Sequence, residues 1–402
     1  MSSVPGVARP LGAEFKVIGL VGVAHLMSHF FALAVPPVFY LLKEDFGVSY
    51  AAMGFAMSMF FVGSGLLQTP AGFLVDRLGG KAVLATGLAV ESFGIMLVGL
   101  APSYALLAVA LGIAGLGNSV FHPADMSILN AKVDKRRLGY AFSVHSVSGN
   151  LGWVLAPLFS VGLATAFGWR SAMFAAGAIG LAIALLLATQ PLLRHEPRAT
   201  ARRDRQRSTL REDLKLLVSA PVLSCFSFFV FTSVNTTAMQ SFSIPAIVSL
   251  YGVPLATAAG TLTGYLVGAA GGTLVGGFVA ARSRRHGLAA GAGLGFAMLF
   301  VATLASGALP ALLLVATTTL AGFSLGTVNP SRDIIVREVT PEHARGKVYG
   351  FVYSGLDLGS SIAPPVIGWL IDTGRPRMVF LVGAAALLMS ATLMLLLGRR
   401  RR

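Results

Sequence analysis

The 402-residue chain is 55% hydrophobic and only 12% charged, with a mean hydropathy of +0.77. A soluble globular protein carries about 25% charged residues, so a water-soluble enzyme is excluded for want of charge to solvate its surface. The net charge of +15, from 31 Lys and Arg against 16 Asp and Glu, would point to nucleic acid in a soluble chain; here its meaning depends on where the charges fall.

Crossing a hydrocarbon core of ~30 Å takes ~20 mostly apolar residues in a helix. Twelve such runs occur, at about 16–42, 51–74, 82–101, 103–129, 138–167, 171–190, 219–249, 255–280, 287–307, 310–334, 348–371 and 378–398. They are too long for barrel strands, which alternate over ~10 residues, and helices are the remaining spanning structure. The first run is not expected to be a cleaved signal peptide. It is too long, and it carries His25, His29 and Pro36-Pro37 where a cleavage site should approach.

With the N-terminus inside, the inner loops hold 26 Lys and Arg and the outer loops four (Lys43, Arg170, Arg375, Arg377), with Arg332 inside a helix. This asymmetry predicts cytoplasmic termini and an even helix count, and the expected location is a bacterial-type inner membrane. The basic excess therefore reads as topology, and no nucleic-acid partner is expected. Residues 191–218 form a polar, arginine-rich cytoplasmic linker between an N-terminal half (1–190) and a C-terminal half (219–402). The lone cysteine, Cys225, sits in an apolar run and reads as a packed thiol.

At an offset of 207 the halves repeat: Pro123 with Pro330, Gly139 with Gly346, Gly152 with Gly359, Ala156-Pro157 with Ala363-Pro364. The predicted fold is an all-α membrane protein of twelve helices in two six-helix pseudo-symmetric halves. Parallel repeats of this kind build transporters whose substrate site lies between the halves.

The loop after the second span reads Gly72-Phe-Leu-Val-Asp76-Arg77-Leu-Gly79-Gly-Lys81. It resembles the signature loop of the major facilitator superfamily. The resemblance implies that Asp76 and Arg77 form a cytoplasmic latch holding the halves in the outward-facing state, with Gly72, Gly79 and Lys81 shaping it. The second-half counterpart, Gly277-Phe-Val-Ala-Ala281-Arg282, lacks the aspartate. His25-Leu-Met-Ser-His29, Leu67-Gln68-Thr-Pro70 and Gly117-Asn118-Ser-Val-Phe121-His122-Pro123 look like the fosmidomycin-resistance branch, drug exporters driven by proton entry. Asn329-Pro330-Ser331-Arg332-Asp333 and Ser354-Gly355-Leu356-Asp357 have no place in that pattern.

Ionisable groups inside a membrane are costly and are functional candidates by default. Asn118, His122 and Asp125 share one helix face, and the repeat sets His122 against Asn329 and Asp125 against Arg332. An arginine fork suits a carboxylate or phosphonate, and Asp and His can carry a proton. The alternative for Asp125, Arg332 and Asp333 is an interfacial anchor. His25 and His29, one turn apart, read as cavity hydrogen-bonding or proton-relay groups or as packing. The spacing also serves metals, but the first helix offers no carboxylate, so no metal site is expected. His145 and Asn150 are cavity or packing residues, as are Gln68, Asn235 and Gln240. Asp357, with Tyr353 one turn before it, reads as a substrate or proton site. Glu91 is either a coupling group or a structural hydrogen-bond partner. Gly264, Gly268, Gly272 and Gly276 predict a close-packed helix ridge.

No G-x-x-x-x-G-K-[ST] loop is present, so a gradient rather than ATP is the expected energy source, with no cofactor. No H-E-x-x-H occurs, which disfavours a membrane hydrolase dependent on metal. The expected protein is a monomer that is not an enzyme, whose partners are a small molecule, protons and lipid. It exports a small drug or metabolite, anionic if Arg332 is its ligand, by proton antiport; an uptake symporter for an organic acid is the alternative.

Overall fold

A computed structural model describes residues 11–134, 136–193, 210–340 and 345–399, and every regular element among them is helical. The first span is α1 (Leu11–Ala32), a 3-10 turn over Pro36–Val38, and α2 (Phe39–Phe46). The next two are α3 (Tyr50–Leu78) and α4 (Gly80–Leu100). The fourth is split into α5 (Tyr104–Asn118) and α6 (Phe121–Lys132), and α7 (Leu138–Phe167) and α8 (Trp169–Thr189) complete the first half. After the short α9 (Leu210–Leu217), the second half runs α10 (Ala220–Ser241) with α11 (Ser243–Tyr251), α12 (Leu255–Arg282), α13 (His286–Leu304), α14 (Ala311–Gly326) with α15 (Val328–Val339), α16 (Arg345–Asp372) and α17 (Arg377–Arg399).

Among the described residues, eleven spans are long and apolar enough to cross a membrane. The 28-residue α16 supplies the twelfth, made more polar by Ser354, Asp357, Ser360 and Ser361. The first span starts earlier than hydropathy alone predicts, at Leu11, because Glu14 is buried against Arg137 rather than left in a loop. Arg137 Nε and Nη2 donate to the Glu14 carboxylate at 2.8 and 2.9 Å. Just outside the membrane, that carboxylate also raises the Arg137 pKa. Of the predicted linker, 194–209 lies outside the described residues, and its last part is α9.

A finer repeat than the two halves is visible. Spans one, four, seven and ten are each broken in two. Spans two, five, eight and eleven are single helices of 28–30 residues, and three, six, nine and twelve are shorter, 19–23 residues. Proline explains the breaks. Pro36 and Pro37 occupy the turn of the first, and Pro123, Pro245 and Pro330 are each the third residue of the helix that resumes after the break. A proline there lacks an N–H that the first helical turn could not have paired in any case.

The glycine ridge predicted on α12 meets the Thr319 side chain at Gly264 and bare α14 backbone at Gly268 and Gly272. A methyl on Gly268 or Gly272 would overlap the carbonyls of Thr319 or Phe323, and one on Gly322 the carbonyl of Tyr265. The surface turned away from this packing is apolar, with Leu312 83% and Phe167 74% exposed, as a lipid-facing surface requires.

The halves are pressed together at the end remote from the termini, where α3 begins and α16 finishes. Asp372 accepts hydrogen bonds from Tyr50 N at 2.9 Å and Ala51 N at 2.8 Å. Gly54 lies against the Pro364 carbonyl and Gly368 against that of Tyr50. Phe39 and Phe242, from the breaks of spans one and seven, bring their rings to 5.6 Å.

Candidate functional site

The helix breaks place polar groups at the centre of each half. In the first half, α1 contributes His25 and His29, α6 contributes His122 and Asp125, and α7 contributes His145. The chain separates these residues widely, yet they form one cluster. Asp125 is fully buried; its Oδ2 lies 3.1 Å from His145 Nε2, in a hydrogen bond, and 3.2 Å from His25 Nδ1. The rings of His25 and His145 stack with centroids 3.5 Å apart. His29 and His122 stand 4.5 and 5.5 Å from His25. His25 and His145 are buried, whereas His122 is exposed. The carboxylate that the first helix does not place beside its histidines, its own Glu14 being engaged by Arg137, is thus supplied by α6.

Above this cluster, Asn118 ends α5 and ties four spans. Its Nδ2 donates to Glu91 Oε1 at 2.9 Å, its Oδ1 accepts from Ser64 Oγ at 2.9 Å, and Ser28 O lies 3.5 Å from Nδ2. Glu91 is fully buried. Of the two roles open to it, the structural hydrogen bond is therefore present.

In the second half the corresponding break positions Asn329, Arg332 and Asp333 on α15. Arg332 Nε and Nη2 both reach Asp333 Oδ1 at 2.9 Å, and Nη1 donates to Asn329 Oδ1 at 3.0 Å. Asn329 Nδ2 donates to Thr273 Oγ1 at 3.2 Å, and Tyr353 Oη donates to Asp333 at 3.1 Å. The guanidinium is 5.1 Å from the centroid of Phe229. Arg332 is consequently not a free cation: its own neighbour occupies the position a ligand carboxylate would take. Asp357, half-buried on α16, packs its Cβ and carboxyl against Gly65 of α3 in the opposite half.

Other expected residues are not gathered into these groups. Asn235 is buried and donates to Tyr265 Oη at 3.3 Å. Gln68, Asn150 and Gln240 are half-buried. Asp76 and Arg77 are exposed at the inner end of α3. Gly79 has φ +83 and links α3 to α4 in one residue, as Gly168 (φ +84) links α7 to α8. Only glycine adopts such a conformation without strain, so this signature glycine has a structural role.

Several contributors were not singled out from sequence. A side chain at Gly149 would approach His25 and His29 to 3.0 Å, and Trp153 lies 4.9 Å from His29. Their spacing from His145, four and eight residues on one face of α7, is the signal that would have found them. Phe229 and Asp372 carry no such signal, since their partners are distant in sequence.

Two broken-helix halves, each with a polar centre, joined by a gate at one end and clothed in apolar surface, define a membrane transporter rather than an enzyme. The sequence profile of the Major Facilitator Superfamily matches residues 21–260 and 226–402, and the chain belongs to that family. It is 24% identical over 382 residues to the fosmidomycin resistance protein of Escherichia coli, covering 92% of this chain and 90% of that one. It is 34% identical over 141 residues to a probable chloroplastic anion transporter of rice (Oryza sativa subsp. japonica), covering 35% and 24%. Its fold matches the crystal structure of a bacterial homologue of the human lysosomal transporter Spinster, inward-facing and unoccupied, with a TM-score of 0.78, 16% identity and coverage of 97% and 98%.

Proposed function

We propose that this secondary transporter moves a small anionic drug or metabolite out of the cell across a bacterial-type inner membrane by proton antiport and alternating access. The observation that carries the reading is the carboxylate-shaped place on Arg332. The fork already engages one carboxylate oxygen of Asp333 through two nitrogens, Asn329 and Phe229 brace it, and Asp333 is itself half-exposed and able to swing away. An anionic substrate displacing Asp333 gains a charge-assisted, forked contact of the kind arginine makes best. Asp357 is the carboxylate placed to carry the proton, because it lies at a contact between the halves, where a change of charge is felt by the rocking motion. The Asp76-Arg77 pair, exposed while the opposite end is closed, would engage when that end opens. The 24% identity to a fosmidomycin resistance protein supports export.

The test is anion binding and transport by purified protein in liposomes. Arg332→Ala abolishes binding of an anionic substrate, and Asp333→Asn, which frees the fork, strengthens it. Arg332→Ala binding and transporting like wild type would overturn the assignment. Direction is read in inside-out vesicles acidified within: an antiporter accumulates substrate there, whereas a symporter drives it out.

A further inference from the structure

We infer that His25, Asp125 and His145 form a binding site for a divalent transition metal ion such as Zn2+, Ni2+ or Co2+, separate from the anion place on Arg332. His25 Nδ1, His145 Nε2 and a carboxylate oxygen of Asp125 all lie within 4.8 Å of one another. Two of the three edges of that triangle measure 3.1 and 3.2 Å. Bonds of ~2.0–2.1 Å in tetrahedral geometry place ligand atoms about 3.3 Å apart, so these two edges need widen only slightly to seat the ion.

Hydrogen bonding alone leaves this cluster incomplete. His145 Nε2 bonds to Asp125 Oδ2, but His25 Nδ1 approaches the same oxygen without making a hydrogen bond, and Asp125 Oδ1 has no partner. Asp125 is 0% and His25 3% exposed, and a buried polar atom is costly to leave without a partner. A metal ion held by His25 Nδ1, His145 Nε2 and Asp125 Oδ2 gives the His25 nitrogen its partner, and bidentate binding by the same carboxylate does so for Oδ1. The donors come from α1, α6 and α7, which a single ion would bind together within one half. The fourth position faces His122, which is exposed and 5.5 Å from the His25 ring, so the ion has an entrance and a further imidazole or water at hand. Two imidazoles and one carboxylate suit zinc, nickel, cobalt or ferrous iron, and disfavour magnesium and calcium, which want all-oxygen shells.

Full-length protein purified without a polyhistidine tag, stripped with chelator and titrated with Co2+ and Zn2+, tests the site. One ion binds per chain, cobalt gives the strong visible absorption of a tetrahedral centre, and absorption at the zinc edge of wild-type protein shows two or more imidazoles. His145→Asn and Asp125→Asn weaken binding by more than the roughly 10-fold typical of disturbing a supporting group, and His286→Ala, remote from the cluster, leaves it unchanged. Absence of saturable binding, a zinc shell without imidazole, or folded His145→Asn and Asp125→Asn proteins that bind like wild type would each overturn the site. None of these outcomes touches the anion reading, which rests on Arg332 in the other half.

Discussion

Asp372→Ala should open the end of the protein remote from its termini. The carboxylate of Asp372, last residue of α16, accepts from the first two backbone N–H groups of α3 at 2.9 and 2.8 Å and so clasps one half to the other. Charge-assisted bonds contribute about 1.5–3 kcal/mol each when buried. Here the partners are exposed, which brings each nearer ~0.5–1 kcal/mol, with about 0.5 kcal/mol more for an anion at a helix N-terminus. When the halves part, water takes over the two N–H groups and Ser49 still caps the helix through Ala52 N, so those terms are lost without further penalty. The sum is ~1.5–2.5 kcal/mol, a shift of roughly 10–60-fold in the equilibrium between closed and open gate. Asp372→Asn, which keeps an acceptor but not the charge, should shift it by less. Spin labels at Pro102→Cys and Ala308→Cys, on exposed distal loops of opposite halves, report the separation by pulsed electron resonance, and the one native thiol, Cys225, is buried. An inter-label distance distribution identical in wild type and Asp372→Ala would refute the clasp.

Four further outcomes are expected. Gly368→Ala, whose new methyl meets the Tyr50 carbonyl, should enrich the same long-distance population. Gly322→Leu, set against the Tyr265 backbone, should instead cost stability by at least the ~1–3 kcal/mol of overpacking, seen as a lower unfolding midpoint. Glu91→Leu strands the Asn118 amide at ~1–3 kcal/mol while Glu91→Gln, which can still accept from it, stays close to wild type; equal losses in both would show that the charge, not the hydrogen bond, is required. Asp76→Asn should slow cycling in liposomes with little change in substrate affinity, and unchanged turnover would remove the latch.

The spans, the repeat and the glycine ridge could be read directly from the chain, because each is a periodic or local property: apolar run length, a fixed offset, steps of four. The division of each half into two three-span units could not, since a helix that breaks at Pro123 and resumes still reads as one apolar run. The cluster around Asp125 was half visible. Asn118, His122 and Asp125 share a face of one span, but which histidines meet them depends on how α1 and α7 cross α6. The pairing of the adjacent residues Arg332 and Asp333 could not be read from the chain, because it depends on side-chain rotamers rather than spacing.

Glycine does two different jobs at the close contacts described above. Within a half, on α12 and α14, backbone against backbone makes a weld that moves as one piece. Between the halves, at Gly54 and Gly368, the same bareness has the opposite consequence. Where backbone meets a bare glycine, the faces part and meet again with no rotamers to free and no knobs to reseat, which leaves the Phe39–Phe242 ring contact and the Asp372 clasp to be undone when the gate opens.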